Sequence, residues 1–142
     1  MFKNWFRSGK KQADFTVLVV SDDATVRSLI HDSLTAEGCT VHAAATVPEA
    51  VMLLDGMELP DVLIGDFRSP EVDGKAFLDK ARTRFGKSTL PPVVFLMDTK
   101  EDETAAHSLG VNDLLVKPFE VSALLTCISK LAESRRLSQA KT

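Results

Sequence analysis

An α/β domain built on a parallel sheet is the fold this chain predicts, and three observations predict it. Short apolar runs alternate with amphipathic helical stretches five times along the sequence. The runs are continuously apolar with β-branched content, which suits strands buried on both faces of a parallel sheet. Gly, Pro and acidic residues punctuate the boundaries between them. Right-handed crossovers from strand to strand then place helices on both faces of the sheet.

Taken in order, residues 1–14 (MFKNWFRSGKKQAD) precede any core periodicity and set Phe2, Trp5 and Phe6 among basic residues. Such a segment is either a frayed tail or a contact for an anionic membrane surface or a partner. Residues 15–20 (FTVLVV) form the first strand, ended by Ser21-Asp22-Asp23. A helix follows over 25–37, with Val26, Leu29, Ile30 and Leu34 on one stripe and Gly38 as the residue just past its end. Strand two spans 39–44, and the helix over 48–57 has Pro48 in its first turn. The third strand, Val62 to Ile64, leads to Asp66; a third amphipathic helix spans 74–85 and a fourth strand 93–97. A shorter, polar helix over 101–109 is closed by Gly110, and 113–116 is the fifth strand. After Pro118, Leu124, Leu125, Ile128 and Leu131 stripe a helix over 121–131. The domain is therefore read as 15–133, with a polar tail over 134–142.

The chain has 142 residues, enough for one buried core, with 44% hydrophobic and 26% charged residues. No apolar run approaches the roughly 20 residues that span a bilayer, and no signal-peptide pattern opens the chain, so a cytoplasmic location is expected. Cys39 and Cys127 lie far apart without a C-x-x-C, which reads as two small buried thiols. The net charge of -3 hides an asymmetry: Lys3, Arg7, Lys10 and Lys11 against Asp14 make residues 1–14 +3 and leave -6 for the rest. An acidic body argues against a nucleic-acid partner, because phosphate contacts need clustered Lys and Arg.

The chemistry is read by distance from Asp66, in the stretch LPDVLIGDFRSPEVDG over 59–74. Ligands of open α/β sheets bind beyond the carboxyl ends of the strands. That edge collects Asp22 and Asp23 after strand one, Asp66 after strand three, and Lys117 after strand five. A lone acid there is often just a turn or cap residue. Clustered acids repel one another unless a hard cation lies among them, and Mg²⁺ accepts a few carboxylate or carbonyl oxygens while keeping several waters. A carboxylate is also a nucleophile toward phosphorus, with the metal and Lys117 neutralising the transferred group. The residues therefore point to a phospho-accepting aspartate. A phosphatase of the haloacid-dehalogenase type expects an acid where this chain has Arg68, and no Gly-rich phosphate loop is present. His31, His42 and His107 fall on different elements and read as solvated surface.

These residues carry a resemblance that covers roughly 15–131. Pro60-Asp61, Asp66, Pro70 and Asp73-Gly74 at their spacing, Gly110 seven residues before Lys117, and Lys117-Pro118-Phe119 resemble the response-regulator receiver domain of bacterial two-component signalling. The resemblance implies a flavodoxin-like (βα)5 three-layer sandwich with strand order 2-1-3-4-5. It implies Mg²⁺-dependent phosphoryl transfer to Asp66 from a histidine kinase or phosphotransfer protein, and a signalling module, not an enzyme. Asp22, Asp66 and the carbonyl of Arg68 would be metal ligands, Lys117 would stabilise the phosphorylated state, and the Lys117-Pro118 bond would be cis.

Several positions depart from the family pattern. Ser21 stands where the first of two acids is usual, with Asp22 as the second and Asp23 one place beyond, so Mg²⁺ affinity should fall for want of one negative charge. The switch hydroxyl position falls on Met97, or on Asp98 or Thr99 if the loop register differs, and the aromatic switch position on Leu114. Gly65 replaces a bulky apolar residue and is expected to loosen the strand end. Two functions compete: a stand-alone receiver acting through a downstream protein target, and a phosphorylation-independent pseudo-receiver acting as an interaction module. The face formed by the fourth helix, fifth strand and fifth helix, around 105–109, Leu114 and 121–125, is the expected site for a partner or a homodimer.

Overall fold

Local signals in the sequence set most of the boundaries of the elements. The computed structural model describes residues 15–86 and 89–140, with 134–140 described as helix alone. The order is β1 (Thr16–Val20), α1 (Ala24–Ala36), β2 (Thr40–Ala44), α2 (Val47–Asp55), β3 (Val62–Asp66), α3 (Gly74–Phe85), β4 (Val93–Met97), a 3-10 turn (Lys100–Asp102) running into α4 (Glu103–Ser108), β5 (Asp113–Val116) and α5 (Val121–Ala140). The side-chain oxygen of Asp23 caps α1, Thr46 caps α2 and Asp73 caps α3, each accepting from backbone N–H groups of the first turn. At the far end of α1, Gly38 takes a φ of 93°, and the N–H of Cys39 returns to the carbonyl of Leu34. The expected contact of residues 1–14 with a membrane or partner lies outside the described residues.

All five strands run parallel in the order β2-β1-β3-β4-β5, the flavodoxin-like arrangement that the resemblance implied. Side chains alternate between the faces of the sheet. Val17, Val19, Val62, Ile64, Val94 and Leu96 pack toward α1 and α5, against Ile30, Leu34, Leu124 and Ile128. Leu18, Val20, Leu63, Phe95 and Met97 pack toward α2, α3 and α4, against Leu54, Phe77, Leu78 and Ala106. Both faces are thus apolar, which is why the strands are continuously hydrophobic. At the opposite edge from Asp66, the carboxylate of Asp61 accepts from the N–H of Thr16 at 2.8 Å while its own N–H donates to the Thr16 carbonyl at 2.8 Å, which pins β1 to β3.

Two elements differ from expectation. Residues 101–109 do not form one helix: a 3-10 turn comes first and α4 is short. The residues expected as a tail from Ser134 instead continue α5 to Ala140. They lack an apolar stripe but are good helix formers, and no Gly or Pro follows Pro118 to stop the helix. Cys39 and Cys127 are free and buried. Burial pushes both thiols up to about 12, with Asp113 adding to the effect on Cys127, so both stay neutral and unreactive near neutral pH. His31, His42 and His107 sit on α1, β2 and α4, apart from one another. No helix among the described residues is long and apolar enough to cross a membrane.

Candidate functional site

Parallel register brings the carboxyl ends of β1, β3, β4 and β5 to one edge. Asp66 pairs with Leu96, Met97 with Val116, and Val20 with Gly65, so the residues just beyond each strand converge. Asp66, the last residue of β3, is fully buried. Lys117, just past β5, places its ammonium 2.8 Å from Asp66 Oδ1. The backbone N–H of Lys117 donates to the carbonyl of Met97 at 2.7 Å, and Lys117-Pro118 is cis as expected. On the other side, the N–H of Asp22 donates to Asp66 Oδ2 at 3.2 Å. The carboxylate of Asp22 accepts from the N–H of Glu71 at 3.1 Å, tying the loop after β1 to the loop after β3.

These groups suit a hard cation. Asp66 Oδ1 is a buried oxygen that has an ion-pair partner but no aligned hydrogen bond. Arg68 pairs with Asp73 in a short antiparallel bridge whose bonds run from Gly74 N–H to Phe67 O and from Ser69 N–H to Val72 O. The carbonyl of Arg68 lies outside that ladder. Among the described residues no three acidic, histidine or cysteine side chains gather as a metal site. Two carboxylates and a main-chain carbonyl are hard oxygen donors of the kind that Mg²⁺ takes together with water.

The family model described as the response regulator receiver domain matches residues 17–129. The chain belongs to the response-regulator receiver family. This receiver is similar to an uncharacterised 14.6 kDa protein of Leptolyngbya boryana, with 34% identity over 119 residues, 83% of this chain and 90% of that protein. It is 30% identical over 115 residues to the DNA-binding transcriptional regulator NtrC of Proteus hauseri, covering 80% of the receiver but only 24% of NtrC. Among solved structures, the chemotaxis response regulator CheY4 of Vibrio cholerae aligns with a TM-score of 0.70 at 26% identity, over 82% of this chain and 97% of that one. The receiver domain of sensor histidine kinase PA1611 of Pseudomonas aeruginosa, solved with magnesium in its active-site cleft, shares the fold: TM-score 0.74, 24% identity, 85% of this chain and 99% of that one.

The positions where this receiver departs from its family now have a geometry. Ser21 is buried, and its hydroxyl accepts from the N–H of Asp23 at 3.2 Å, closing the turn after β1. Asp23 does not face Asp66: it is exposed, and its Oδ1 accepts from Thr25 N–H at 2.9 Å and Val26 N–H at 3.3 Å as the α1 cap. The same acid type serves cap and site, and the helix start at Ala24 decides between them. Met97 points into the core below α2, α3 and α4. Of the three candidates for the switch position, Asp98 is the one tied to the site, with its carboxylate 3.7 Å from the Lys117 ammonium. Thr99 is exposed. Leu114 is half-buried and packs on the same core as Met97, where the family would place an aromatic ring.

Gly65 does not loosen its strand. A Cβ there would meet Val20 Cγ1 at 3.0 Å and the Phe77 ring at 3.4 Å, so neighbouring side chains fill the place of the missing one. Arg68 stacks over the Phe67 ring at 5.1 Å and reaches Asp102 at 3.2 Å. Sequence reading passed over Asp102, because no local pattern links residues 34 positions apart.

Proposed function

We propose that this receiver accepts a phosphoryl group on Asp66 from the phosphohistidine of a histidine kinase or phosphotransfer protein, acting in the cytoplasm and signalling through contacts with a downstream protein. One carboxylate oxygen of Asp66 attacks phosphorus, the phosphorus–nitrogen bond to the imidazole breaks, the departing nitrogen takes a proton, and an acyl phosphate forms. Lys117 holds a positive charge beside the oxygens throughout, and the N–H of Asp22 fixes the orientation of the carboxylate. Mg²⁺, when bound by Asp22, Asp66 and the Arg68 carbonyl, would offset the charge gathering on the phosphoryl oxygens. The observation that carries this reading is the 2.8 Å ion pair between a fully buried strand-end carboxylate and Lys117 at the open edge of a parallel sheet.

Incubation with acetyl phosphate and Mg²⁺ is expected to give a phosphoryl adduct by intact mass, and Asp66→Asn to abolish it. An adduct that persists in the variant would place the acceptor elsewhere. A second reading, a phosphorylation-independent interaction module, is favoured by Met97 and Leu114, which leave no hydroxyl or aromatic ring at the two switch positions. Absence of any adduct in the unaltered protein would select it.

Ser21 also sets an expectation for the metal. Ser21→Asp adds a carboxylate at the cation site and should tighten Mg²⁺ binding by roughly tenfold, since a unit charge a few ångströms away is worth at least about 1 kcal/mol even in high dielectric. Calorimetric titration measures it. Unchanged affinity would mean that the missing charge does not limit binding.

A further inference from the structure

We infer that the segment from Asp98 to Asp102 is an electrostatic latch that reads the charge at Asp66; this rests on the acceptor reading above. Two ion pairs hold the segment against the site. Lys117 Nζ lies 2.8 Å from Asp66 and 3.7 Å from Asp98, so one ammonium serves both carboxylates. Arg68, two residues after Asp66, pairs with Asp102 at 3.2 Å. Both cations that fasten the segment therefore belong to residues flanking the acceptor, and both anions belong to the segment. No comparable shared ammonium occurs elsewhere among the described residues.

Phosphorylation turns the single charge of the Asp66 carboxylate into the roughly two charges of an acyl phosphate, a net gain of about one, carried on oxygens within reach of that ammonium. Lys117 then has a stronger partner than Asp98, which is 65% exposed and free to swing into water. Arg68 has a second inducement, because guanidinium pairs with phosphate through parallel charge-assisted hydrogen bonds. Its own pair with Asp102 is on the surface, with the Arg68 side chain 69% exposed, and exposed pairs are readily exchanged. Competition from the phosphoryl oxygens for Lys117 and Arg68 thus loosens both ties at once, even where Mg²⁺ offsets the net charge. The segment moves away from the phosphoryl group, the opposite of what a hydroxyl drawn toward a phosphoryl oxygen would do. With Met97 in the core, this is the route by which the loop before α4 senses the site.

Hydrogen exchange measured by mass spectrometry across residues 98–105, with and without beryllofluoride plus Mg²⁺, tests the latch, while fluorine NMR reports independently whether the beryllium adduct forms. Adduct formation should raise exchange in this segment by roughly three- to tenfold, the combined effect expected of two ion pairs that each have one exposed partner. Asp98→Asn/Asp102→Asn should reach that level without the adduct and gain little more from it. Glu101→Gln, which removes a charge from the same segment, should leave exchange as it was. An adduct that leaves exchange unchanged or lowers it overturns the latch and spares the acceptor reading. Equal effects of Glu101→Gln and the double variant also overturn it. Absence of a beryllium signal overturns the acceptor reading, and the latch with it.

Discussion

Lys117→Met should destabilise the fold by about 3–5 kcal/mol, the usual cost of leaving a buried charge without its partner. Asp66 is fully buried, and the side chain of Lys117 is only 17% exposed, so water does not replace the ammonium. With the lysine gone, the carboxylate keeps only the 3.2 Å bond from the N–H of Asp22. That loss is a large fraction of the 5–15 kcal/mol that holds a typical domain together. Asp66→Asn behaves differently, because an amide oxygen can still accept from Asp22 and the lysine keeps Asp98 beside it. The double variant Asp66→Asn/Lys117→Met should therefore recover most of the loss, giving a coupling energy of about 2–3 kcal/mol in a double-mutant cycle. Urea unfolding in the presence of a chelator measures all four proteins. A Lys117→Met variant as stable as the parent would mean that the ion pair is not what keeps the acid buried.

That pair was legible from the sequence because it belongs to main-chain periodicity. Continuous apolar runs located the ends of β1, β3 and β5, and the ends of parallel strands meet by topology, so Asp22, Asp66 and Lys117 could be brought together without coordinates. Side chains whose positions depend on loop path were not legible. Asp98 stood as one of three alternatives, since a shift of one residue in the loop after β4 exchanges it with Met97 or Thr99, and its 3.7 Å approach to the Lys117 ammonium has no signal in the sequence. Arg68 and Asp102 carry no mutual signal in sequence, being on separate loops. Asp23 was drawn into the acid cluster because a strand-end acid and a helix cap look alike until the helix start is known. The effect of Gly65 depended on Phe77 from α3, a partner that the pattern around Gly65 does not reveal.

Gly74→Ala is the second large effect expected, and two principles disagree about its sign. Gly74 is the first residue of α3, where Ala is the better helix former by up to about 1 kcal/mol. Space decides the other way. A Cβ at Gly74 would lie 2.7 Å from the carbonyl oxygens of both Asp66 and Phe67 and 2.8 Å from Phe67 Cα, closer than real Cβ contacts allow. All three neighbours are backbone, so no rotamer change relieves the overlap. Either the first turn of α3 moves off the loop, stretching the 2.9 Å bond from Gly74 N–H to Phe67 O, or the peptide after Asp66 shifts and takes the carboxylate from Lys117. Overpacking of this kind costs about 1–3 kcal/mol, and rigid neighbours put Gly74→Ala at the upper end, net of propensity about 2 kcal/mol destabilising. Gly65→Ala supplies the contrast, because its 3.0 Å neighbour is a side-chain methyl of Val20 that can give way, for a loss of about 1 kcal/mol. Thermal and urea unfolding of the two variants should rank Gly74→Ala well below Gly65→Ala, with a weaker beryllofluoride adduct in Gly74→Ala alone. Equal stability for Gly74→Ala and the parent would mean that helix propensity outweighs contact at this turn, and that the loop carrying Asp66 tolerates movement the packing here forbids.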